Sequence, residues 1–202
     1  MRIHSDSFQH RQPIPAEFAL GARDGKDGFG GNRNPHLSWD EVPAGTHSLV
    51  LMCIDTDAPT DASMAGREGV TIPVDMPRTD FVHWVMIDIP AEVREIAAGS
   101  CSDGFDQGGK RAPKGPAGSR QGRNDYTGWF AGDAAMAGEY LGYDGPYPPP
   151  NDLRTHRYFF RLFALDVTAL DLPAGFTAGD AFRAMHGHVL AETAIHGTYR
   201  LA

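Results

Sequence analysis

The chain has 202 residues, of which 41% are hydrophobic, and its 18 basic and 26 acidic side chains leave a net charge of −8. That length and apolar content can bury one sizeable core, and no linker-like stretch divides it, so residues 1–202 read as a single domain. The negative balance repels phosphate backbones and anionic lipid surfaces at long range, which argues against nucleic acid as a partner and leaves room for one small cationic pocket.

The N-terminal residues Met1 to Arg11 mix both charges and have no apolar core, so they do not read as a secretory signal. No later segment approaches 18 consecutive apolar residues. The expectation is a cytoplasmic protein without stable membrane insertion, or a periplasmic one if a signal peptide was removed ahead of Met1. Ser48 to Ile54 is an almost unbroken apolar run of strand length, and such a run predicts a strand covered on both faces. It ends at Asp55-Thr56-Asp57-Ala58-Pro59. Val82 to Ile89, stopped by Pro90, and Arg157 to Val167 predict two more strands. Pro90 before and Gly99 after Ala91 to Ala98 suggest a short helix there. Thr177 followed by Asp180 resembles a capping box, and Ala181, Phe182, Met185, Val189 and Leu190 recur at helical spacing, which predicts one late helix packed on the sheet.

The 24 Gly and 15 Pro exceed average usage, so turns and loops should be a large share of the molecule. Two long stretches, 60–79 and 104–142, read as loops that roof a site or form a contact. Trp129, Phe130 and Tyr140 in the second favour ordered packing. Cys53 and Cys101 are too few for a disulfide framework, and Cys53 lies in an apolar run where a buried free thiol is expected.

Polar clusters stand at the ends of the apolar runs. On an extended strand, residues two apart share a face, so Asp55 with Asp57, and His156 with Tyr158, can each point to one side. A carboxylate beside a histidine favours the imidazolium, and an imidazolium next to a phenol offers two hydrogen bonds to an anion. The Gly145-Pro146-Tyr147-Pro148-Pro149 turn could add free backbone N–H groups. Taken singly, each cluster has a plain structural explanation: a solvated Asx turn, a half-buried His83, a stiff proline turn. Their occurrence together points to a small anion pocket with an acidic wall.

At this level of detail the chain resembles the phosphatidylethanolamine-binding protein family, including its bacterial Raf-kinase-inhibitor-like members. The resemblance lies in Asn34-Pro35-His36-Leu37-Ser38-Trp39, Val42-Pro43-Ala44-Gly45-Thr46, Asp55 to Pro59, His83-Trp84 with Ile89-Pro90, Gly145-Pro146 with Pro148-Pro149, His156-Arg157-Tyr158, Gly187 to Ala191, and Gly197-Thr198-Tyr199. Thr56 replaces the proline usual in the family's Asp-Pro-Asp-Ala-Pro motif. The resemblance implies a mainly β fold, a sandwich of two antiparallel sheets with Greek-key connections and a few peripheral helices, one near the C-terminus. It also implies a phosphate- or carboxylate-binding site lined by Asp55, Asp57, Pro59, His83, Trp84, Gly145, Pro146, His156 and Tyr158. Such a site holds no cofactor or metal and binds without catalysis, with a kinase or protease as a possible regulated partner; a homodimer is reasonable from the bacterial members.

The competing reading is an enzyme in which Asp55, Asp57, His83 and His156 hold a divalent metal or perform acid–base hydrolysis. A third reading uses the 104–142 loop alone as an interaction module. Gly104 to Lys110 has the spacing of a phosphate-binding loop, but Arg111 stands where Ser or Thr must meet Mg²⁺, and Pro113 opposes a helix there.

Overall fold

The computed structural model describes residues 1–201, the side chain of Asp27 excepted. In chain order the strands are β1 (Arg2–His4), β2 (Leu37–Asp40), β3 (Ser48–Pro59), β4 (Arg78–Pro90), β5 (Glu95–Ile96), β6 (Arg120–Gln121), β7 (His156–Leu165) and β8 (Val189–Tyr199). The α-helices are α1 (Tyr126–Trp129) and α2 (Ala178–Met185). The strands form two antiparallel sheets, ordered β1-β2-β5 and β6-β4-β3-β7-β8.

Strand alternation divides β3 between two cores. Leu49, Leu51 and Cys53 face the small sheet, where they meet Leu37, Trp39 and Ile96 together with Trp84, Met86, Phe160 and Leu162. Val50, Met52 and Ile54 face the other way, onto Val85, Ile87, Phe163 and α2 residues Ala181 and Met185. Every residue from Leu49 to Cys53 is fully buried, as the unbroken apolar run predicts for a strand covered on both faces. Each such side chain contributes about 1.5–3 kcal/mol relative to its exposed state.

The Thr177 cap forms as the sequence suggests. Thr177 Oγ1 accepts the Asp180 N–H at 3.2 Å, and Asp180 Oδ2 accepts the Thr177 N–H at 2.9 Å. Thr177→Ala is expected to cost about 1 kcal/mol and lower Tm by about 2–4 °C for a domain of this size; an unchanged thermal melt would show that packing alone holds this helix.

Other local expectations fail for identifiable reasons. The helix stops at Met185, because Gly187 takes a left-handed φ of 85°. Val189 and Leu190 therefore open β8 and are exposed. His186 and His188 lie beyond the helix, and His188 Nδ1 pairs with Asp166 Oδ1 at 2.9 Å on the surface. Residues 91–98 form no helix: the Val93 N–H closes a turn on Pro90, and Glu95–Ile96 pair with β2 instead. The buried Ile96 and the Trp39 indole bond to the Val93 carbonyl outweigh the weak helical preference of so short a segment. Both cysteines are free and buried, and burial raises both thiol pKa values.

The long loops are held in different ways, the first by polar ties and the second by aromatic packing. Asn151 accepts the Gly66 N–H and donates to the carbonyls of Met64 and Val70, which pins the first loop. The second packs Tyr126 and Tyr140 on Leu20 and carries β6 and α1. Among the described residues no helix is long and apolar enough to cross a membrane.

Candidate functional site

The sheet face that packs against β1, β2 and β5 continues past them, and there it turns polar. Asp55 is paired across β3 with Phe81 on one side and Tyr158 on the other, so these three side chains share the face of Leu51 and Cys53. His156 follows from the same alternation along β7. Simple alternation would instead send His83 to the opposite face, with Val85. A bulge prevents this: Cys53 pairs with Trp84 but Ile54 pairs with Val82, which leaves His83 as the extra residue and turns it toward Asp55.

All of these groups except Tyr158, which is fully buried behind the lining, open onto a cavity of about 430 Å³. Asp55, Phe81, His83 and His156 line it from the sheet. Pro59 at the end of β3 and Thr60, Ala62, Ala65 and Gly66 of the first long loop close it on one side, Tyr126, Trp129 and Phe130 from the second, and Tyr147 with Pro148 to Pro150 from the proline turn. Both loops thus wall the site, as the sequence suggests. A shallower hollow of about 490 Å³ beside Arg23, Asp24 and Arg200 holds no buried titratable side chain among the described residues and has no comparable chemistry.

The electrostatics run along a buried chain of alternating charge. Arg78 grips Asp152 through both guanidinium nitrogens, at 2.5 and 3.1 Å. Asp152 Oδ2 also accepts from His156 Nε2 at 3.0 Å, and His156 Nδ1 donates to Asp55 Oδ2 at 2.7 Å. Carboxylates only accept, so both ring nitrogens carry protons and the ring is an imidazolium. Burial opposes that charge, but hydrogen bonds and attraction from Asp55 and then Asp152 outweigh it and raise the His156 pKa. Burial likewise works against the Asp152 carboxylate, and the Arg78 contact overcomes it, so that pKa is lowered.

His83 behaves differently. Its Nδ1 donates to the Asp144 carbonyl at 2.8 Å, which fixes the tautomer of the neutral ring and leaves Nε2 without a partner among the described residues. Burial lowers its pKa, with the Asp55 charge offsetting only part of the effect. The Tyr158 ring lies 5.2 Å from the His83 ring, and its buried hydroxyl has no hydrogen-bond partner among the described residues. Burial and the Asp55 charge raise its pKa well above the usual value, so it remains a neutral donor.

Several expected site residues serve other purposes. The Asp57 carboxylate does not join Asp55: it accepts from the Arg157 N–H and guanidinium at 2.8–3.0 Å, and the cavity does not touch it. The cause is the irregular β3–β4 pairing between Asp55 and Ala58, which breaks the two-residue period. Arg157 more than offsets the burial of Asp57, so that pKa is also lowered. Trp84 is core: it packs edge-on against Tyr143 and donates to Gln121 Oε1 at 2.6 Å. The Gly145 N–H is taken by Asn32 Oδ1, so it is no free donor. A Cβ there would lie 2.2 Å from the Phe18 carbonyl oxygen, and glycine is required by that close approach. Pro146 accepts the Gly21 N–H, so it braces the turn without lining the cavity.

Sequence reasoning missed Arg78, Asp152, Phe81, Tyr126 and Tyr147. Phe81 stands two before His83, immediately ahead of the strand predicted from Val82, a signal present but unused. Asp152 and Arg78 approach His156 only through the folded loops. Lys110 of the discounted phosphate-loop motif is buried on Asp144 Oδ1 at 2.5 Å.

Comparison with known proteins agrees with this architecture. A family model described as "Phosphatidylethanolamine-binding protein" matches residues 4–200. The chain is 36% identical over 200 residues to a "UPF0098 protein" of Methanothermobacter thermautotrophicus, covering 99% of both. It is 34% identical over 202 residues to a "UPF0098 protein" of Aquifex aeolicus, covering 99% of this chain and 88% of that one. The crystal structure of Escherichia coli YbcL, described as a member of the mammalian PEBP family, superposes with a TM-score of 0.72 at 23% identity, covering 100% of this chain and 98% of that one.

Proposed function

The chain belongs to the phosphatidylethanolamine-binding protein family, and from that premise we propose that it is a non-catalytic binder of a small phosphate- or carboxylate-bearing ligand. The observation that carries this reading is His83, which lines the cavity with one ring nitrogen anchored to a backbone carbonyl and the other without a partner among the described residues. His83 would hold the anion, with Tyr158 packed behind it against the imidazole. His156 would not, since both of its nitrogens already donate to carboxylates; it neutralises Asp55, which would otherwise repel the ligand. The same pairing weighs against acid–base hydrolysis, because it engages the best-placed carboxylate and imidazole with each other. A regulated kinase or protease partner is a downstream proposal that would depend on this pocket.

The test is calorimetric titration with phosphoethanolamine. A buried His83 that is neutral near pH 7 must gain a proton to meet an anion, or the anion must bring one; in either case the complex takes up a proton. Affinity should therefore fall about tenfold per pH unit between pH 7 and 8. His83→Gln, which keeps hydrogen-bonding capacity but cannot titrate, should flatten that slope and weaken binding at pH 6. Absence of binding at pH 6 by the native protein, together with turnover of phosphate esters, would replace this reading with the hydrolytic one.

A further inference from the structure

We infer that the anion held at this site carries a planar aromatic ring at its other end, and that the cavity is built for an aryl phosphate in preference to a bare head group. This rests on the anion-binding reading above and extends it to the rest of the ligand.

The chemistry of the cavity is one-sided. Its carboxylate and imidazoles, Asp55, His83 and His156, lie on the sheet beside Phe81, while the other walls are aromatic rings, prolines and small residues. A volume of about 430 Å³ falls in the range of about 300–1,000 Å³ typical of sites for drug-sized organic molecules, so a phosphate touching His83 would leave most of the cavity unfilled.

The aromatic wall is also incompletely packed. Phe81 meets Tyr126 edge-on at 5.0 Å, and Tyr126 stacks with Phe130 at 5.5 Å, so these rings satisfy one another. Trp129 does not: it contacts Phe81 edge-on at 6.3 Å and remains 46% exposed. Tyr147, on the proline turn, packs edge-on against Phe29 at 6.1 Å and is still 36% exposed. Two of the molecule's exposed large apolar side chains thus flank one cavity, and half-exposed aromatics of this kind mark binding surfaces more often than scattered surface residues do. A flat ring entering the cavity beside Trp129 would gain stacking on it in addition to burial.

Aromatic walls beside a carboxylate could also cage a quaternary ammonium. Here the carboxylate is already compensated: Asp55 accepts from the His156 imidazolium and from the Asp57 N–H. A cation would find little net negative charge at that wall, whereas an aryl group needs none.

The experiment is titration at pH 6 with inorganic phosphate, phosphocholine and phenyl phosphate, on the native protein and Trp129→Ala. Trp129 is on the rim of a four-residue helix and half exposed, so its truncation should leave the fold intact, as circular dichroism would verify. The expected result is phenyl phosphate at least tenfold tighter than phosphocholine. In Trp129→Ala, phenyl phosphate should weaken about tenfold while inorganic phosphate changes by less than threefold. Equal affinities for the two organic phosphates, or tighter phosphocholine, would overturn the aryl inference and leave anion binding standing. A parallel loss for all three probes in the variant would overturn it as well, by making Trp129 structural. If none of the three binds the native protein, both the inference and the reading beneath it fail.

Discussion

Asp152→Ala is expected to lower the unfolding free energy by about 3–5 kcal/mol, the usual cost of removing one partner from a buried ion pair. For a domain of this size that corresponds to a Tm drop of about 6–20 °C. The large figure follows from burial. The Arg78 and Asp152 side chains are only 6% and 1% exposed, so a guanidinium stripped of its carboxylate has little water to turn to. Its remaining bonds reach only the carbonyls of Met76, Asp57 and Pro73. The substitution also strips His156 Nε2 of its acceptor and lets the ring turn away from Asp55.

The effect should depend on pH in a definite sense. His156 has a raised folded-state pKa, so its contribution is complete below the unfolded-state value of about 6.5 and is lost as pH rises through the folded one. Asp152 has a lowered pKa, so its contribution is present above about 3.9 and is lost as pH falls through the folded value. Native and variant stabilities, measured by urea unfolding, should therefore differ most between about pH 4 and 6.5, with the gap narrowing on either side. A loss under about 1 kcal/mol at pH 6 would mean that Arg78 reaches solvent and that the chain of charges is not a structural element.

Asp144→Ala should cost a similar amount, about 3–5 kcal/mol, by leaving the Lys110 ammonium unpaired. Asp144 Oδ1 accepts from Lys110 Nζ at 2.5 Å and from Asn32 Nδ2 at 2.8 Å, and Oδ2 accepts from Asn124 Nδ2 at 2.8 Å. One carboxylate thereby ties the second long loop and the segment before β2 to the proline turn. The double variant Asp144→Leu with Lys110→Met removes both charges, and apolar replacement of a whole buried pair is often close to neutral. It should recover a large part of the loss in chemical denaturation. A double variant no more stable than Asp144→Ala would show that the two asparagines, and not the ion pair, carry the energy. Because the Asp144 carbonyl also fixes His83 Nδ1, ligand affinity should fall with the first variant and partly return with the second.

Local sequence determined the strands that build the site. The apolar run from Ser48 to Ile54 cannot be satisfied unless covered on both faces, and β3 is so covered. The Thr177–Asp180 pair sets the start of α2 through bonds within a single turn. Likewise the one-face relation of His156 and Tyr158 follows from the two-residue period of β7. Residues of one element fix such features, so they are legible without the fold.

What only the tertiary structure decided is where that period breaks and which charges meet. The bulge at His83 depends on how β4 registers against β3, a relation between segments that neither encodes alone, and it alone turns the imidazole into the cavity. The irregularity after Asp55 gives Asp57 to Arg157, so two carboxylates that the spacing unites are separated. Arg78, Asp152 and His156 come from the start of β4, a loop and the start of β7, and their pairing arises because burial leaves each charge little solvent and the fold brings groups of opposite sign beside it. The polar clusters at the strand ends made an anion pocket with an acidic wall a fair expectation; packing paired Asp55 with His156 and left one His83 nitrogen without a partner among the described residues.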